Sequence, residues 1–129
     1  MLDRLRRDLT DLMLTPGLSG HEERVAALIR DRLSGLGVAT RTDRLGNLIA
    51  TFPGNPAAPS VMLFTHMDQL GFFVRKVEAD GLIRVERMGG VSERAMAAQG
   101  VIACTDKGDV PGIIMNKAHH ATGAEEKYR

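Results

Sequence analysis

Leu2, Leu5, Leu9 and Leu12 recur at the spacing of one helical face with Asp and Arg between them, so the chain opens on an amphipathic helix. Thr15-Pro16-Gly17 ends it. Ser19-Gly20-His21-Glu22 then has the form of a capping box, in which Ser19 accepts from a free amide and Glu22 reaches back to the cap. The helix that follows should bury Val25, Leu28, Ile29, Leu33 and Leu36, wet Arg24, Arg30, Asp31 and Arg32, and stop at Gly35 and Gly37. His21, in its first turn, reads as a solvated surface residue. Residues 38–42 alternate like a half-exposed strand, residues 43–47 form a turn with Gly46 at a positive φ, and residues 48–52 return as a second strand. Residues 53–59 are a proline-rich surface loop.

Val61-Met62-Leu63-Phe64 breaks the alternation. Such an unbroken apolar run is expected of a strand buried on both faces, as in the middle of a parallel sheet, so residues 61–65 read as a buried strand that needs neighbours on both sides. Polar residues appear only where it ends. Side chains two apart on an extended backbone point the same way, which puts His66 and Asp68 on one side. The carboxyl ends of strands are where ligands bind in open α/β sheets. Neutral imidazole with a neighbouring carboxylate suits a zinc-like ion. Read alone, the pair fits either a metal site or a histidine hydrogen-bonded at a strand end.

After Gly71 the pattern changes to hairpins. Residues 72–78 and 82–87 alternate around Ala79-Asp80-Gly81, and residues 100–105 and 110–116 pair through Asp106-Lys107-Gly108-Asp109, with no convincing helix between the two hairpins. The fold class is therefore α/β: two helices and the first strands of a mixed sheet over residues 1–70, then a small antiparallel β-rich domain over residues 71–129.

Composition narrows the partners. The net charge of +1, the scattered Lys and Arg, one Tyr and no Trp leave neither a basic footprint nor a stacking platform for nucleic acid. No apolar run approaches the ~18 residues of a membrane span, so the expectation is a soluble, cytoplasmic chain without a membrane partner. Cys104 is the single cysteine, which excludes an internal disulfide, fits a reducing compartment, and is expected as a small buried hydrophobe in a strand.

Three stretches in order, Pro16-Gly17-Leu18-Ser19-Gly20-His21-Glu22, Asp43-Arg44-Leu45-Gly46-Asn47-Leu48-Ile49 and His66-Met67-Asp68-Gln69-Leu70-Gly71-Phe72, resemble successive signatures of the glutamyl/tetrahedral aminopeptidases, metallopeptidase family 42. A fourth, Gly112-Ile113-Ile114-Met115-Asn116-Lys117-Ala118-His119-His120-Ala121-Thr122, is similar to the sugar-operon-associated branch of that family. The resemblance implies that His66 is a ligand of one of two divalent cations, zinc or cobalt, and that Asp68 is the catalytic, non-ligating aspartate that orients its neighbours. It implies a bridging water activated to attack the peptide carbonyl next to a free N-terminus. It further implies that residues 1–70 begin the catalytic sheet of a di-metal exopeptidase, and that residues 71–129 are part of an inserted domain through which the family forms dimers and dodecamers.

The family's bridging aspartate, glutamate base, remaining carboxylate ligand and second histidine follow that inserted domain, and nothing in this chain matches them. His119-His120 and Glu125-Glu126 sit in surroundings that resemble the inserted domain, so they are expected to be structural or surface residues. The leading expectation is the N-terminal segment of a di-metal aminopeptidase acting on peptides, inactive as an isolated chain and completed by a C-terminal segment or a homo-oligomer. Two alternatives stand beside it: a non-catalytic self-association module, and a relative acting on another amide or a glycan.

Overall fold

The computed structural model describes residues 1–115 and 123. His119-His120, Glu125-Glu126 and the expected strand end at Asn116 lie outside the described residues. The chain divides into two compact units, Met1–Gly89 and Gly90–Arg129.

The first unit opens on α1 (Leu2–Leu14), as the leucine spacing predicts, but Leu2, Leu5 and Leu9 of its apolar stripe remain exposed. Ion pairs from Arg32 of the next helix to Asp8 and Asp11 tie the two helices together. That helix, α2 (Glu23–Ser34), carries the buried apolar centre of the unit in Val25 and Ala26, with Leu28, Ile29 and Leu33 half-buried and Leu36 exposed. Its end follows from glycine. Gly37 sits at φ 73° and donates to Ser34 O at 2.8 Å, while Val38 N–H reaches Leu33 O at 2.9 Å, a Schellman turn.

Strands β1 (Thr40–Thr42) and β2 (Leu48–Ala50) pair antiparallel with Thr40 opposite Ala50. Their turn is built by Asp43, whose Oδ1 accepts from the Leu45 and Asn47 amides, both at 2.9 Å. Gly46 takes the positive φ of 87° there. Strands β3 (Gly71–Val77) and β4 (Ile83–Met88) form a second antiparallel hairpin, with an irregularity between Val74 and Lys76 that leaves Arg75 without a ladder partner.

The buried parallel strand expected at residues 61–65 is absent. Val61, Met62, Leu63 and Phe64 are 81–92% exposed and belong to no strand. The reason is pairing: β1 takes β2 and β3 takes β4, so no strand of the unit lies along either edge of this segment. Without ladder partners an extended segment cannot satisfy its amides as a sheet does, however apolar its side chains are.

The second unit holds a four-residue helix, α3 (Glu93–Met96), which the sequence pattern did not announce, and the hairpin of β5 (Gly100–Thr105) and β6 (Gly108–Ile113). The turn is tighter than expected: Asp106 and Lys107 alone make it, and Gly108, at φ 122°, already pairs with Thr105. Cys104 lies in β5 but is exposed, against the expectation of burial, because a lone two-stranded ladder covers neither of its faces completely.

Candidate functional site

The site is built where the loop between α1 and α2 meets residues 66–71. Gln69 does most of the joining. Its backbone N–H donates to Gly17 O at 2.7 Å, and its side-chain amide donates to Leu12 O at 2.8 Å and Thr15 O at 3.2 Å. Leu12 lies in the last turn of α1, where carbonyls have no partner within the helix, so Gln69 caps that helix from a distance of 57 residues in sequence. Two glycines allow the close approach. A Cβ on Gly17 would lie 2.5 Å from Val25 Cγ2, and one on Gly71 would lie 2.9 Å from Leu18 Cδ1.

This clamp delivers Ser19 to Asp68. The Ser19 hydroxyl donates to Asp68 Oδ2 at 2.5 Å, a length typical of a hydroxyl on a charged carboxylate. The capping box is thereby corrected. Glu22 does reach back, accepting from Gly20 N–H at 2.7 Å, but α2 takes Glu22 as its N-cap and Ser19 makes no cap bond. The helix starts three residues after Ser19, at the N-cap Glu22, so the amides that a cap would serve belong to Glu22 and its followers rather than to a box begun at Ser19.

His66 and Asp68 come together as the spacing of two predicts. His66 Nδ1 lies 2.9 Å from Asp68 Oδ1 and 3.1 Å from Asp68 O. Hydrogen bonding from Ser19 is the main cause that holds the Asp68 carboxyl below its ordinary pKa; partial burial opposes it, and His66 adds to it by hydrogen bond and charge. The carboxylate is thus ionised at neutral pH and accepts. The hydrogen in that contact belongs to His66 Nδ1, and in the neutral imidazole the lone pair is then on Nε2. The imidazole is 82% exposed and the Asp68 side chain 37%, so the carboxylate is the more covered member of the pair.

Ser19, His66, Asp68, Met88 and Gly89 are among the residues that line a shallow hollow of about 250 Å³. That volume is below the ~300–1,000 Å³ usual for a small-molecule site, so the hollow alone does not enclose a substrate. His21, expected at the surface, is exposed and turns its ring onto Phe73, with centroids 5.7 Å apart at 66°.

The donor chemistry fits one ligand position of a zinc-like ion: a neutral imidazole whose Nδ1–H is held by a carboxylate behind it. It does not fit a whole site. Among the described residues no three His, Cys, Asp or Glu side chains converge to hold an ion, whereas a catalytic ion takes about three protein ligands. Ser19 and Gln69 escaped the sequence reading because nothing in their spacing, 49 residues between Ser19 and Asp68, signals the contact.

Comparison with known proteins gives a consistent picture. The profile of a family described as M42 glutamyl aminopeptidase matches residues 46–129. The SgcX protein of Escherichia coli is 36% identical over 124 residues, covering 95% of this chain and 33% of SgcX. A crystal structure of the TET aminopeptidase from Thaumarchaeota archaeon SCGC AB-539-E09 superposes with a TM-score of 0.87 at 27% identity, over 99% of this chain and 35% of that one. The TET1 peptidase of Pyrococcus horikoshii, which can assemble into a tetrahedron or a large octahedral shell, gives a TM-score of 0.79 at 26% identity, over 94% of this chain and 36% of its own. The chain thus spans about a third of the length of the curated relatives it matches. Among the described residues no helix is long and apolar enough to cross a membrane.

Proposed function

The chain belongs to the M42 glutamyl aminopeptidase family, and from that premise we propose that it carries one part of a metal-dependent aminopeptidase site, with His66 as a ligand and Asp68 behind it. The observation that carries the reading is the 2.9 Å contact between His66 Nδ1 and Asp68 Oδ1, which leaves Nε2 as the ligating atom. A pair of divalent cations, zinc or cobalt, would supply an activated water for attack on the peptide carbonyl next to a free N-terminus. This chain's part is to present one imidazole in one tautomer. The other ligands and the general base come from residues beyond the described ones, in a C-terminal segment or a neighbouring polypeptide, so the isolated chain has no peptidase activity.

Residues 71–129 are read as part of the inserted, dimerisation-type domain, and the TET1 shells support a homo-oligomer as the working form. The substrate is a peptide. A reducing, cytoplasmic setting accords with Cys104 as the single cysteine.

The test measures release of N-terminal residues from aminoacyl-anilides in zinc or cobalt. The chain is assayed by itself and together with a polypeptide covering the C-terminal two thirds of a relative such as SgcX. We expect no release by the chain alone, and chelator-sensitive release by the complemented chain that is lost in His66→Ala. Chelator-sensitive turnover by the pure chain, or complemented activity indifferent to His66→Ala, would overturn the reading.

A further inference from the structure

We infer that Ser19 is a positioning residue of this site: its hydroxyl fixes the Asp68 carboxylate so that Oδ1 holds His66 as the Nδ1–H tautomer. The inference rests on the reading of His66 as a ligand only for its consequence, not for its geometry.

A carboxylate turns easily about its last torsion, which has broad wells. His66 by itself would fix it poorly, because the ring it would have to grip is 82% exposed and free to exchange that contact for water. Ser19 supplies the second point. It holds Oδ2 at 2.5 Å while Oδ1 faces Nδ1 at 2.9 Å, so the plane of the carboxylate is set from both oxygens. Ser19 is in turn not free to follow. The backbone on its N-terminal side is pinned by the Gln69 N–H bond to Gly17 O at 2.7 Å and by the parallel bridge of Leu18 with Gln69, while Gly17 is packed on Val25.

The N-cap position of α2 falls at Glu22, three residues beyond Ser19. The order of action is therefore loop, hydroxyl, carboxylate, imidazole. Its product is a neutral ring with its lone pair on Nε2, the form an incoming cation needs.

The test reads the tautomer directly, from the two ring ¹⁵N shifts of His66 in the full chain, without metal, at a pH well above the ordinary imidazole range. In the wild-type chain the unprotonated, downfield nitrogen should be Nε2. In Ser19→Ala it should move toward Nδ1, the pattern of free histidine in water, and Ser19→Thr, which keeps a hydroxyl, should restore it. The His21 resonances serve as the internal check of folding through the Phe73 contact. If Ser19→Ala loses that contact, Ser19→Cys, similar in size but a weaker donor, is read instead and should show the same drift. A wild-type ring protonated at Nε2, or shifts unchanged in the folded alanine or cysteine variant, would overturn the inference. Addition of zinc to the chain complemented by the C-terminal polypeptide, which supplies the remaining ligands, then tests the other reading separately. An Nε2 shift that ignores zinc, alongside a tautomer that follows Ser19, would sink His66 as a ligand and leave the positioning role intact.

Discussion

Residues 61–64 make the sharpest demand on this chain. Val61, Met62, Leu63 and Phe64 are 83, 81, 92 and 89% exposed, and they stand in sequence immediately before the candidate site. Covering a side chain of this kind is worth about 1.5–3 kcal/mol, so the four together offer about 6–12 kcal/mol as an upper bound. Association costs roughly 4–15 kcal/mol in lost freedom. The run is thus comparable to that cost and should make the chain self-associate or take up an apolar partner. Replacing Leu63 and Phe64 by Asp removes two of the four, about 3–6 kcal/mol, or roughly 10²–10⁴ in an association constant. Sedimentation velocity over a concentration series, with binding of an apolar fluorescent dye in parallel, measures both effects. The wild-type chain should sediment as oligomers and bind dye, and Leu63→Asp/Phe64→Asp should be chiefly monomeric with weak dye binding. A wild-type chain that stays monomeric and dye-silent, or a double variant that sediments like it, would refute the argument.

Further outcomes follow from local geometry. Gly17→Ala forces a Cβ to within 2.5 Å of Val25 Cγ2, on a β-branched side chain that cannot turn away in a helix; the cost should be about 1–3 kcal/mol in urea unfolding, smaller in a Val25→Ala background, and an unchanged midpoint would show the loop not to be pressed on α2. The Asp43 carboxyl is held below its ordinary pKa chiefly by the Asn47 side chain, against an opposing effect of burial and with help from the Asn47 and Leu45 amides and Arg41. A carboxyl lowered in the folded state contributes stability that is present above its unfolded value and lost as pH falls through the folded one; Asn47→Ala should therefore move the Asp43 titration upward in NMR, and an unmoved titration would contradict the assigned cause. Cys104 is exposed in β5, so a thiol reagent should modify it without denaturant nearly as fast as in urea; protection in the native chain would show that something covers it.

Local chemistry was legible in the sequence. The leucine spacing of α1, the glycines that close α2, the turn at Asp43 and the hairpins around Gly81 and Gly108 all depend on neighbours within a few residues, and their elements stand within a few positions of expectation. The His66–Asp68 contact belongs here too, being a consequence of a spacing of two. What failed required knowing which elements lie side by side. The run at 61–65 has the composition of a buried strand, but composition does not supply a neighbouring edge, and β1 to β4 are spent on one another. Ser19 matches a capping box by spacing, yet α2 takes Glu22 as its N-cap and the Ser19 hydroxyl donates to a carboxylate 49 residues away. Cys104 shows the same limit: a strand position is local, but its burial depends on what covers the sheet.

These two kinds of contact explain how the His66–Asp68 pair can be ordered beside an uncovered segment. His66 is held by hydrogen bonds from Ser19 to Asp68 and from Gln69 to Gly17, Leu12 and Thr15, which connect the end of α1 and the loop after it with residues 66–71. None of them uses residues 61–65. Each is worth about 1 kcal/mol net, more for the one on the carboxylate, so the clamp can order the imidazole while the apolar run beside it stays uncovered.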